Sequence, residues 1–276
     1  MKTKLIFTVF FCVCAASPLA AQTSVPDDMA QVPAGKFWMG RTQTFFFDTI
    51  GGTPRDRMDD IPANNVYLDA FSIDKYEVTN ADYTRFVEAT GARAPWHWPE
   101  GKMPKGEEKL PVYNVNWYEA TDYCKWAGKR LPTEAEWEKA ARGGLDRARY
   151  AWGDAEVSTS EQSLFIQTGQ RSTNAPVPAV LGRLAPLPVG SVTPNGYGLF
   201  DMIGNVMEWT TDWYDSNYYP FMPKVNPRGP ETARYKSVRG AGWADPGGDG
   251  DLKMVSYRNF SDPDTRSSTI GFRCAK

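Results

Sequence analysis

The sequence predicts a single α+β domain, irregular and loop-rich, and three observations lead there. Prolines (21) and glycines (24) are frequent enough in 276 residues to interrupt regular structure repeatedly. Aromatic residues reach 13%, so the core is expected to rest on rings. Beyond the N-terminal segment there are no continuous Val/Ile/Leu runs, which argues against the doubly buried strands of a parallel sheet. The length suffices for one sizeable core, and no repeat or linker divides it, so one domain from about Val25 to Lys276 is expected.

The chain opens with MKTKLIFTVFFCVCAASPLAAQTS, in which Lys2 and Lys4 precede an apolar run from Leu5 to Ala16 and the small residues Ala20 and Ala21 follow. This is the pattern of an export signal, residues 1–21, cut after Ala21. Its core is too short to span a bilayer, and no later stretch approaches the roughly 20 apolar residues of a transmembrane helix. A soluble periplasmic or secreted protein is expected, with membrane attachment the lesser alternative.

Short strands are expected at Gly35 to Gly40, Asn65 to Val78, Lys236 to Gly240 and Ile270 to Ala275. Three helices carry stronger signals. In VTNADYTRFVEATG, Thr79 or Asn80 can cap the start, Tyr83, Phe86 and Val87 form an apolar face, and Gly91 can stop the helix. In NWYEATDYCKWAGKR, Asn116 and Glu119 form a capping pair, and Ala120, Cys124 and Ala127 share a stripe that ends at Gly128. In LPTEAEWEKAARGG, Thr133 and Glu136 form a capping box, Trp137, Ala140 and Ala141 face inward, and Gly143 terminates. Residues 42–60 and 156–191 read as surface excursions.

Composition narrows the chemistry. Lys plus Arg (31) and Asp plus Glu (33) nearly cancel, so no basic field exists to hold nucleic acid. The one histidine, His97, cannot build a multi-histidine zinc or iron site, and its aromatic-flanked setting reads as a loop position rather than a catalytic base. Export would remove Cys12 and Cys14, leaving Cys124 and Cys274 in an oxidising compartment as a disulfide or, alternatively, as two buried thiols. Oxygen-ligand chemistry, suited to calcium or magnesium, survives these exclusions.

The ordered segments VPAGKFWMG, FSIDKYEVTNADYTRFV, PVYNVNWYEATDYCKWAGKRLPTEAEWEKAARGG, YAWGD, TPNGYGLFDMIGNVMEWTTDWY, VRGAGW and IGFRCAK resemble the formylglycine-generating enzyme family, also called sulfatase-modifying factors. The resemblance covers essentially the whole mature chain. It implies a C-type lectin-like fold and a Cys124 to Cys274 bridge. It also implies a calcium site in GLFDMIGNVMEW, from the side chains of Asp201 and Glu208 and the carbonyls of Gly204 and Val206. Asp201 stands where the family usually has Asn, a change that keeps an oxygen and adds charge. A second family calcium site, expected around residues 162–182, finds no clear matching ligands.

The same resemblance singles out RGAGWADPGGDGDL, from Arg239 to Leu252. Formylglycine-generating enzymes look like copper oxidases whose soft metal is held by two cysteines in this loop. Counted back from Cys274, those positions are Asp245 and Gly250. A serine of the family's RGGS motif is Gly242, and the first Trp of its WEW motif is Met207. No copper is expected. Gly242, Trp243, Asp245, Asp249, Asp251 and Arg258 form the expected remodelled pocket. For the aspartates the alternative is a solvated turn, and for Trp243 and Arg258 it is an aromatic core position and a structural ion pair.

The first functional reading is a ligand- or partner-binding or maturation factor, acting on a small ligand or an exported protein. The alternatives are a periplasmic tailoring oxidoreductase of the pyoverdine-maturation type and a formylglycine-generating oxidase acting on sulfatase cysteine.

Overall fold

A computed structural model describes residues 28–44, 58–155, 185–245 and 251–276. The export signal, most of the two surface excursions and residues 246–250, including Asp249 and Gly250, lie outside the described residues.

Three small sheets replace one large one. β1 (Met29–Val32) pairs antiparallel with β4 (Phe71–Asp74), and β2 (Gly35–Met39) with β3 (Asn64–Leu68). The third sheet has the order β7-β6-β5-β8, built from β5 (Met207–Tyr214), β6 (Tyr235–Arg239), β7 (Arg258–Ser261) and β8 (Ile270–Gly271). It is mixed, because β8 runs parallel to β5 while the other pairs are antiparallel. The expected strand from Asn65 to Val78 breaks at Asp69 and Ala70 into β3 and β4. The expected strand to Ala275 shortens to two residues, with Ala275 bridging singly to Ile73 and Arg130.

The helices follow their end signals closely. α1 (Asn80–Thr90) starts on a capping box between Thr79 and Asp82 and ends on Gly91 at φ +70°, a left-handed conformation that costs glycine little. α2 (Trp117–Trp126) starts on the Asn116 and Glu119 box, and α3 (Glu134–Arg142) on the Thr133 and Glu136 box. Each such cap contributes about 1 kcal/mol.

Two apolar clusters form the core. One joins β1 to β4 with Trp137, Ala140 and Ala141 of α3; the other joins α1 and α2 to β5 through Tyr83, Phe86, Trp209 and Phe272. Cys124 and Cys274 lie fully buried in the second, joined as a disulfide with Cα atoms 5.7 Å apart. The bridge therefore ties α2 to the segment that follows β8.

Candidate functional site

The loop that follows β6 starts from a fixed base. Gly242 N donates to Asp245 Oδ2 at 2.7 Å, and Asp245 N donates back to Gly242 O at 3.0 Å, closing a four-residue turn. Asp245 thus spends one carboxylate oxygen on its own backbone, a common use of Asp in turns. A Cβ added to Gly242 would stand 2.9 Å from Thr269 Cβ, so a serine cannot sit there without moving the β8 approach. Trp243 N donates to Asn205 O at 2.7 Å, and Trp243 Nε1 to Ser268 O at 2.9 Å. Its ring packs with Leu187 and Val192. Met207, on the neighbouring strand, takes a hydrogen bond at its sulfur from Asn259 Nδ2 at 3.2 Å. Asp251 opens a short 3-10 turn.

Arg258 is engaged elsewhere. Its guanidinium is buried and donates to both oxygens of Glu134, at 2.8 and 3.1 Å, and to the carbonyls of Asp59 and Asp215. Arg239 joins Glu134 and Glu138, and Arg142 joins Glu138 again. Burial alone would raise the Glu134 carboxyl, but Arg258 and Arg239 outweigh it and hold it at about 2. Of the two readings of Arg258, pocket residue and structural ion pair, the observed contacts are those of the ion pair. His97 is likewise a loop residue, stacked on Tyr113 with ring centroids 4.2 Å apart, and burial lowers its pKa.

A second polar cluster lies beneath the loop. Asp201, Glu208 and Glu77 are each about 1% exposed, and their carboxylates share one arginine, Arg273. Glu208 accepts from Arg273 Nε and Nη2 at 2.8 to 3.0 Å and from Trp137 Nε1 at 2.8 Å. Glu77 accepts from Val206 N at 3.0 Å and Asn205 Nδ2 at 2.6 Å. Asp201 accepts from Gly190 N at 2.6 Å through Oδ2, while its buried Oδ1 has no well-formed hydrogen bond, the Val192 backbone also acting on the carboxylate. Burial first, then Asp201 and Glu208, push Glu77 well above the ordinary carboxylate range, and burial lifts Asp201 to about 6.

This donor set fits a hard cation in one specific respect. A buried carboxylate oxygen without a partner is costly, and a cation would satisfy it. Asp201 with the backbone of Gly204 and Val206 would supply oxygens. Glu208, expected as an open ligand, is instead already saturated by Arg273 and Trp137. Among the described residues no three His, Cys, Asp or Glu side chains converge as a ligand set, so any such site leans on backbone oxygens.

Sequence reading passed over Glu77, Asn205 and Arg273. All three lie in the quoted motifs IDKYEVTN, GNVMEW and GFRCA, but their partners are 65 to 129 positions away, and no local spacing reveals such pairs.

A loop-rich α+β domain with a mixed sheet, capped helices and a loop buttressed by buried ion pairs defines a C-type lectin-like domain of the formylglycine-generating type. The chain belongs to the sulfatase-modifying factor family: residues 15–276 match the family described as "Sulfatase-modifying factor enzyme 1-like domain". It is 37% identical to the formylglycine-generating enzyme of Streptomyces coelicolor, over 95% of this chain and 96% of that protein. It is 32% identical to the Bos taurus enzyme of the same name, over 91% of this chain and 75% of that protein. Among solved structures, PvdO from Pseudomonas aeruginosa superposes with a TM-score of 0.68 at 26% identity, covering 90% of this chain and 93% of that one. Among the described residues no helix is long and apolar enough to cross a membrane.

Proposed function

We propose that this chain is an exported member of the family that binds a small ligand or an exported protein partner, or assists its maturation, without thiol-copper oxidation. One observation carries the reading: the two positions at which family members look to hold copper are Asp245 and Gly250. Copper(I) selects soft thiolates, and a carboxylate with a glycine offers none. The local geometry supports it, because Asp245 already closes a turn on Gly242 and Cys124 and Cys274 are spent on each other. Calcium at Asp201 is proposed as a structural cation, supported by the buried Oδ1, which has no well-formed hydrogen bond.

A second reading, a periplasmic tailoring oxidoreductase, draws on the likeness to PvdO over nine-tenths of the chain. The relatives named formylglycine-generating enzyme keep oxidation of sulfatase cysteine as the third.

The test is incubation of the purified protein with a peptide carrying Cys-x-Pro-x-Arg, aerobically and with copper(I), scored by mass spectrometry. The cysteine is expected to stay unconverted. Aldehyde formation over many turnovers would overturn the first reading in favour of the third.

A further inference from the structure

We infer that the Asn205 peptide couples the cation site to the remodelled loop, so that a cation bound at Asp201 fixes the position of Trp243 and of the turn from Gly242 to Asp245. The inference rests on the calcium reading above and adds a consequence to it.

Two ties, linked to each other at Leu187, carry it. The first runs through the backbone. Asn205 sits between Gly204 and Val206, whose carbonyls are the proposed ligands, and its own carbonyl accepts the Trp243 N–H at 2.7 Å. Asn205 is fully buried at φ +59°, an uncommon conformation for a residue with a side chain. Its side chain locks it there, with Nδ2 on Glu77 at 2.6 Å and Oδ1 on Leu187 N at 3.0 Å.

The second tie runs through residues 187–192. Gly190 N is held by Asp201 Oδ2 at 2.6 Å, and Leu187 and Val192 on either side pack against the Trp243 ring. Asp201 therefore anchors the apolar bed on which Trp243 lies. Asp201 Oδ1 and the two carbonyls, were they to hold a cation, would pass its effect along both ties at once. Trp243 also donates to Ser268 O at 2.9 Å.

The experiment follows amide exchange of the whole mature protein by mass spectrometry during a calcium titration, with binding measured separately by calorimetry. Exchange in residues 242–245 is expected to slow about tenfold with the same midpoint as binding, a usual size for site-to-site coupling. Strand β7, held by its own ion pairs, is expected not to respond. Asn205→Gly keeps the left-handed backbone and its carbonyl but deletes the side-chain bonds to Glu77 and Leu187 that hold the peptide in place, and it is expected to bind calcium while losing most of the protection. If that variant does not fold, Leu187→Ala cuts the second tie and is read the same way. Calcium binding without any change at residues 242–245, or full protection in both variants, overturns the coupling and leaves the calcium reading standing. No calcium binding overturns both.

Discussion

Gly242 and Asp245 hold each other through two hydrogen bonds, amide to carboxylate at 2.7 Å and amide to carbonyl at 3.0 Å. Asp245 is thereby a turn-closing residue. The glycine it closes on is packed against Thr269.

The Thr269 contact makes any side chain at position 242 costly. Gly242→Ser is expected to lose roughly 1–3 kcal/mol through overpacking, with no gain in peptide oxidation. Urea denaturation checks the first part, and mass spectrometry of the peptide the second.

Asp212 gives the fold a pH signature. Its carboxyl is buried, with Glu134 nearby, and together these lift it from 3.8 to about 7 against hydrogen bonds from Glu134 N and Thr211 Oγ1. The folded state therefore holds an extra proton between about pH 4 and 7. Stability from this group is fully present below pH 4 and declines as pH rises through 7. Asp212→Asn is expected to flatten that decline and to stabilise the protein by roughly 1–3 kcal/mol at pH 8, with little change at pH 4. Unfolding midpoints at the two pH values test it.

The Cys124 to Cys274 bridge closes a loop of 150 residues. Replacing both by serine is expected to cost roughly 3–5 kcal/mol on the chain-entropy account, because the unfolded chain regains that freedom. Comparing urea midpoints of the double variant and the oxidised parent checks this.

What the sequence showed and what it hid divide along the reach of each interaction. All three helices were legible because their caps and stops lie within a few residues: Thr79 with Asp82, Asn116 with Glu119, Thr133 with Glu136. Strand β5 was not expected, because MEWTTDWY lacks alternation. Its first four residues are buried whatever face they take, and Glu208 and Asp212 are accommodated by distant partners, Arg273 and Trp137 for one and the start of α3 for the other. The partner of Arg258 was hidden for the same reason, since Glu134 lies 124 positions away. That Asp245 turns back on Gly242 is visible only in the structure.

The most direct test is native mass spectrometry of the mature protein titrated with copper(I) under reducing-free, anaerobic conditions. The account predicts no stoichiometric copper, with calcium the only metal retained. One copper per chain, lost on Asp245→Ala, would contradict it.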